Sequence, residues 1–200
     1  VLKSDRPAPH RDALLTERFE GGNGLHEPQR FCLLLTLSEL APRPDPDEVS
    51  TAARTSLHHI ASSTNWALLA ERLGIQQNRP FAVVAPGASR AVRRWPVERW
   101  KSILEWLNEK NIHVVLLSGS SDAEIARQLY QSFSKDTTLV AGVTSFTETV
   151  ALLARASIFL GNDSGPSHIA GALGVPTLTL FIAREDSNPD APSSPIRIHP

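Results

Sequence analysis

Ile158-Phe159-Leu160-Gly161-Asn162-Asp163-Ser164-Gly165-Pro166-Ser167-His168 is the stretch that decides how this chain folds. Three bulky apolar residues read as a short buried strand, the glycine ends it, and Asp163 and Ser164 are residue types that cap helices. Pro166 suits the first turn of a helix, where the donor it lacks has no partner to lose. Gly174 and Pro176 then stop that helix, because glycine accepts a left-handed backbone and proline bars continuation. Thr177–Phe181 starts another β-rich run. Strand, helix and strand in so short a span form a βαβ unit, whose strands are parallel.

The same rhythm extends upstream. Phe81–Ala85, Val114–Ser118 and Thr138–Ala141 are further β-rich runs, and helical spacing fills about 95–110, 121–134, 145–155 and 165–173. Nearly continuous apolar strands alternating with helices predict a parallel sheet covered on both faces. Ser121-x-x-Glu124 and Ser145-x-x-Glu148 read as capping boxes, in which two orphaned backbone donors are satisfied reciprocally. The expected fold class is α/β, a Rossmann-like parallel sheet flanked by helices over 80–181. Before it, residues 11–20, 27–40 and 64–73 carry helical spacing, and Glu27-Pro28 reads as a helix start. Pro42, Pro44 and Pro46 break the pattern into a linker, and 40–62 carries no assignment. The expected division is therefore 1–79, a helical extension and linker, and 80–200, the Rossmann-like domain with a proline-rich tail.

Composition narrows the classes of function. The 200 residues are 41% hydrophobic and 20% charged, the balance of a globular protein. Lys+Arg 20 against Asp+Glu 21 gives a net charge of −1, so no basic surplus points to nucleic acid or an anionic membrane. The single cysteine, Cys32, closes no intrachain disulfide and completes no Cys-rich zinc site, which fits a reducing compartment. Phe31–Leu37 is far short of the roughly 20 residues that span a bilayer. Val1–Arg11 is polar and proline-bearing, unlike a signal peptide. Methionine is absent, the mark of a fragment or a processed chain.

Four expected strands run into glycines, Gly87, Gly119, Gly142 and Gly161, and the fifth into Ile182. Ligands of open α/β sheets bind at the carboxyl ends of the strands, where glycine admits close approach. A left-handed turn explains any one of these glycines; four on one edge point to a ligand cleft. The helix start after Asn162 offers unpaired amides and the positive end of the macrodipole, a phosphate site. Asp163 and Ser164 have helix capping as their plain structural role. His168 falls one turn in, on the face of Gly165, where it either packs or donates to a phosphate or sugar oxygen. Pro86–Pro96 carries Arg90, Arg93 and Arg94 just before a helix; the dipole disfavours cations there, so a bound anion explains them better than solvent does. Gly119–Glu124 offers carboxylates suited to ribose hydroxyls, though a capping box already accounts for Glu124. No GxGxxG follows the first strand, which weighs against an NAD dehydrogenase.

Taken together, Pro86-Gly-Ala-Ser89, Arg94-Trp-Pro-x-Glu-x-Trp100, Leu116-Leu-Ser-Gly119 and Asn162-Asp-Ser-Gly-Pro-Ser-His-Ile-Ala-Gly-Ala-Leu-Gly-Val-Pro176 resemble glycosyltransferase family 9. These are the ADP-heptose:lipopolysaccharide heptosyltransferases, of GT-B fold. The likeness covers 80–181, and His26-Glu-Pro-Gln-Arg-Phe31 within 11–40 resembles the stretch joining the family's two domains. The resemblance implies a C-terminal, donor-binding half. It implies that Ser89 and Arg93 hold the donor's diphosphate, that Ser164, Gly165 and His168 form the phosphate-and-sugar loop, and that Asp163 stands next to the sugar. It further implies transfer of heptose from ADP-heptose to a lipopolysaccharide inner-core acceptor, with inversion and with no obligatory metal or cofactor. The setting implied is cytoplasmic, at the inner face of the bacterial inner membrane, with no transmembrane segment.

Inversion needs a general base for the acceptor hydroxyl and positive groups for the departing diphosphate. The resemblance puts the base in the family's N-terminal domain, with no counterpart here, so the chain alone is expected to be inactive. Three positions depart from the pattern. Phe181-Ile182-Ala183-Arg184 replaces Phe-Gly-x-Thr, Ser121 stands at the ribose-binding acidic position with Asp122 or Glu124 as substitutes, and Pro200 falls before the family's final helices. Two other readings stay open: a non-catalytic scaffold of the same fold, and a GT-B relative using a UDP-sugar.

Overall fold

A computed structural model describes residues 46–181. Helix α1 (Pro46–Ser63) and helix α2 (Trp66–Leu73) precede strand β1 (Phe81–Ala85). Then follow α3 (Val97–Glu109), β2 (His113–Ser118), α4 (Ala123–Ser132) and β3 (Thr137–Ala141). The series closes with α5 (Phe146–Leu153), β4 (Ile158–Asn162), α6 (Gly165–Ala172) and β5 (Thr177–Leu180). The strands form one five-stranded sheet in the order β3-β2-β1-β4-β5. Every pairing is parallel, with Val83 of β1 opposite Val115 on one side and Phe159 on the other. The chain steps outward from β1 to β3 and then crosses back to lay β4 on the free side of β1. The sheet order therefore reverses between β1 and β4, and a crevice opens there at the carboxyl ends.

Both faces of β1 and β2 are buried, as the unbroken apolar runs require. Phe81, Val83 and Ala85 share one face with Val115, Leu117 and Phe159, beneath Ala70 of α2, Val150 and Leu153 of α5 and Ala170 of α6. Ala82, Val84, Leu116 and Leu160 face the other way, against Trp100, Leu104 and Leu107 of α3 and Leu129 of α4. Each large side chain so buried contributes about 1.5–3 kcal/mol.

The compact unit that holds the sheet begins at Ala53, inside α1. Leu57, Ile60 and Ala61 of α1 pack against its core. Of the stretch 40–62 that carried no assignment, residues 46–62 are thus helical, in a helix that runs to Ser63. Pro46 opens the helix rather than ending an element, because proline at the first helical position forfeits only a donor that would be orphaned anyway.

Ser145 and Glu148 form the expected box, with Ser145 N–H donating to Glu148 Oε2 at 2.7 Å and Glu148 N–H to Ser145 Oγ at 3.3 Å. The other box does not form. Ser120–Asp122 is a 3₁₀ turn, α4 starts at Ala123, and its N-cap residue Asp122 makes no capping hydrogen bond. The Asp122 carboxylate is taken instead by Arg94. Gly174, at φ 78°, stops α6: its N–H reaches Gly171 C=O at 2.9 Å and Val175 N–H reaches Ala170 C=O at 3.0 Å, a left-handed C-cap with its 6→1 bond. Gly161 is not the strand-ending turn that was expected. It lies within β4, where a Cβ would stand 2.7 Å from the Phe159 ring and 3.1 Å from Ala85 C=O. The expected helices at 11–20 and 27–40, with Pro42, Pro44, Ile182 and the tail, lie outside the described residues.

His113 opens β2 almost wholly buried, its Nε2 at 3.1 Å from Thr138 Oγ1. Burial, with the nearby Arg79 guanidinium second, lowers its pKa from 6.5. The folded state then prefers the neutral ring, while the unfolded chain protonates it near 6.5. The contribution is complete above that value and is lost as pH falls below it. Acidification from pH 7.5 to 5.5 should therefore lower the melting temperature, and His113→Gln should flatten that fall; equal slopes in calorimetric scans would contradict the assignment. Separately, Ser145→Ala should cost about 1 kcal/mol, seen as a melting midpoint lower by roughly 2–4 °C.

Candidate functional site

Two loops meet at the crevice between β1 and β4. The loop leaving β1 runs through Gly87, Ala88 and the exposed Ser89 into a 3₁₀ turn, Ala91–Arg93. The loop leaving β4 is Asn162-Asp163-Ser164, after which α6 begins. Asn162 is fully buried and ties them together. Its Nδ2 donates to Pro86 C=O at 2.7 Å, and its Oδ1 accepts from Trp95 N–H at 3.1 Å. One amide side chain thus satisfies backbone groups on both ends of the arginine-bearing loop, in a place where unmet groups would be costly.

Asp163 follows, its carboxylate only 4% exposed. Arg93 Nη1 lies 2.9 Å from its Oδ2, and His168 Nε2 lies 3.3 Å from its Oδ1. Arg93 of the β1 loop and His168 of α6 therefore converge on one carboxylate. Ser164 stands at the N-cap position with extended backbone, yet its buried Oγ has no hydrogen-bond partner. Ser167 does the local work instead, donating from its Oγ to Ser164 C=O at 2.7 Å. Asp163 is thus not the helix cap, and Ser164 caps through its backbone, its N–H reaching Ser167 Oγ at 3.4 Å, rather than through its own hydroxyl. Gly165, the first residue of α6, is exposed, and a Cβ there would meet nothing within 4 Å. The helix start is open at the Gly165 N–H, while Pro166 has no donor and Ser167 N–H donates to Ser164 C=O at 3.1 Å.

Asp122 sits on the far side of the arginine loop. Arg94 Nη2 pairs with it while Arg94 Nε donates to Ala88 C=O at 2.9 Å. A Cβ on Gly87 would stand 2.7 Å from the Asp122 side chain, so glycine at 87 lets the β1 loop close on that carboxylate. Glu124, the other acidic candidate, is exposed beside Arg127. Next to these groups a cavity of about 350 Å³ opens between the ends of β2 and β3. Ser118, Gly119, Gly142, Thr144 and Pro166 line it, the last linking it to the start of α6. That volume falls within the roughly 300–1,000 Å³ of small-molecule sites. Among the described residues, no group of three or more His, Cys, Asp or Glu is placed to hold a metal ion, and no helix is long and apolar enough to cross a membrane.

The cavity lies at Gly119 and Gly142, two of the four glycines whose strand ends pointed to a ligand cleft; the sequence reading held no account of the work of Asn162 or of the place of Thr144. A polar residue ending an otherwise apolar buried strand was the available signal for the first. Thr144 carried no such signal, since only the return of the chain beside β2 brings it to the cavity.

A 3-2-1-4-5 parallel sheet with a crevice at its switch point is a Rossmann-type domain. Comparison with known proteins gives the family. The sequence profile of glycosyltransferase family 9 (heptosyltransferase) matches residues 35–192, and the chain belongs to that family. It is 30% identical over 154 residues to lipooligosaccharide heptosyltransferase 2 of Haemophilus ducreyi, covering 74% of this chain and 44% of the relative. It is 32% identical over 121 residues to lipopolysaccharide heptosyltransferase 3 of Escherichia coli K12, covering 58% and 34%. The chain thus spans less than half the length of these relatives. Among solved structures, the E. coli ADP-heptose lipopolysaccharide heptosyltransferase II superposes with a TM-score of 0.56 at 25% identity, over 66% of this chain and 40% of that one. A UDP-GlcNAc 2-epimerase from Neisseria meningitidis shares the fold, with a TM-score of 0.51 at 20% identity over 80% and 44%.

Asn162→Ala should leave Trp95 N–H and Pro86 C=O without partners at a cost of about 1–3 kcal/mol for each buried group. The melting midpoint should fall by several degrees; an unchanged midpoint would show that the loops close without the amide.

Proposed function

We propose that this chain is the donor-binding half of a heptosyltransferase, with the β1 and β4 loops and the start of α6 receiving the diphosphate of an ADP-sugar. The observation that carries the reading is the convergence of Arg93 and His168 beside the open first turn of α6. A guanidinium fork, a ring donor and the free Gly165 amide together match the oxygens of a diphosphate. Ser89, exposed on the same loop, and Ser164, whose hydroxyl lacks a partner, are its further donors. The cavity beside Gly119 and Thr144 receives the nucleoside, and Asp122, two residues beyond Ser120 of its lining and held by Arg94, is the carboxylate for ribose.

In this reading residues 80–200 form the donor domain and 1–79 connect to it. Transfer proceeds with inversion and without a metal, the cations and amides stabilising the departing diphosphate. The base that deprotonates the acceptor lies outside the chain, and the acceptor is the inner core of lipopolysaccharide at the cytoplasmic face of the inner membrane. The 200 residues therefore bind the donor and do not transfer its sugar.

Titration calorimetry tests both halves of the claim. ADP should bind and UDP should bind more weakly. Arg93→Ala should weaken ADP by about tenfold or more, as expected for a charge-assisted bond worth roughly 1.5–3 kcal/mol. Folded protein giving a flat titration with both nucleotides would favour a non-binding scaffold, and UDP preferred over ADP would point to a UDP-sugar. Sugar transfer by the isolated chain would contradict the placement of the base.

A further inference from the structure

We propose that Asp163 is the resting counter-ion of Arg93 and competes with the donor's diphosphate for it, so that donor binding is an ion exchange inside the crevice. The proposal rests on the diphosphate reading above and adds a competitor to that site. The two loop arginines that face carboxylates are held differently. Arg94 is anchored twice, through Ala88 C=O and Asp122. Among the described residues, the Arg93 guanidinium has Asp163 as its one charged partner. Asp163 Oδ2 is buried and, despite Arg93 at 2.9 Å, accepts no hydrogen bond of good geometry. The contact is therefore held by charge more than by direction, and it breaks at lower cost than an aligned, bidentate pair.

Exposure sets which partner moves. The Arg93 side chain is 22% exposed and Asp163 only 4%, so the cation turns toward an incoming anion while the carboxylate stays. His168 Nε2, at 3.3 Å from Oδ1, remains beside it, and the exchange does not strand a buried carboxylate without any polar neighbour. The consequence is a raised threshold: every anion that enters must first displace a built-in one.

Asp163→Asn removes the competitor with little change in shape. Calorimetric titration of the full chain with inorganic pyrophosphate and with ADP should show both binding about tenfold more tightly to the variant, since a close carboxylate–guanidinium coupling is being released. Asp136→Asn removes the same charge from the Arg79 pair, before β3 and at the opposite end of the strands from the crevice. It should leave affinity within about twofold, the scale of a general screened charge effect.

Equal tightening by the two variants would overturn the proposal, reducing the effect to overall charge. So would unchanged or weaker binding by folded Asp163→Asn, which would make the carboxylate a positioner of Arg93. Should asparagine unfold the protein, Asp163→Ser repeats the measurement, and unfolding of both assigns Asp163 to the fold and overturns the proposal. Pyrophosphate and ADP binding to neither wild type nor variant would sink the diphosphate reading itself, an outcome distinct from wild-type binding with no gain in the variant.

Discussion

The buried amide of Asn162 joins the end of β4 to both ends of the loop leaving β1, through Trp95 N–H and Pro86 C=O. Everything else in the crevice inherits its geometry from that tie. It fixes where the 3₁₀ turn with Arg93 stands relative to Asp163, the very next residue. It also holds the β1 loop down beside Asp122 and Arg94. The sheet order makes the tie possible, since only the crossover that places β4 against β1 brings the two loops together. Packing of two faces thus determines a polar arrangement at one end, and the polar arrangement holds the charges.

Those charges are arranged in pairs. Arg93 with Asp163 and Arg94 with Asp122 are partly or wholly removed from water, where an unpaired charge is expensive. Pairing keeps the crevice stable when empty and leaves its electrostatics close to balanced. At the helix start the Gly165 N–H is a fixed dipole that carries no counter-ion, whereas Pro166 has no donor and Ser167 N–H is taken by Ser164 C=O. In the proposed reading an entering anion meets that dipole at no cost, and cations that must first let go of their partners.

Much of the fold was legible because parallel strands buried on both faces leave an unambiguous run, as at Phe81–Ala85 and His113–Ser118. The positions of all five strands follow from apolar runs, although β4 runs on through Gly161 to Asn162, past the glycine expected to end it. The site was legible in part. The segment Asn162–His168 and the arginine loop announce themselves by residue type, and the Ser145 box by its spacing. Where the reading failed, tertiary contacts had outbid local chemistry. Ser121-x-x-Glu124 has the right spacing for a box, yet Arg94 from a distant loop claims Asp122, and the turn tightens to 3₁₀ instead. Gly161 looked like a turn and is a strand residue paired with Ala85 and Thr179, a glycine because the Phe159 ring occupies the space a side chain would need. No local signal announced that Asp163 would sit between Arg93 and His168.

The most direct measurement of the central claim is a crystal structure of the chain soaked with ADP at low ionic strength. The account predicts the β-phosphate at the first turn of α6, within hydrogen-bond reach of the Gly165 amide and of an Arg93 guanidinium that has moved off Asp163, with the adenosine in the cavity beside Thr144. Nucleotide bound elsewhere on the sheet, or a crevice that stays closed with Arg93 still on Asp163 while calorimetry reports binding, would contradict it.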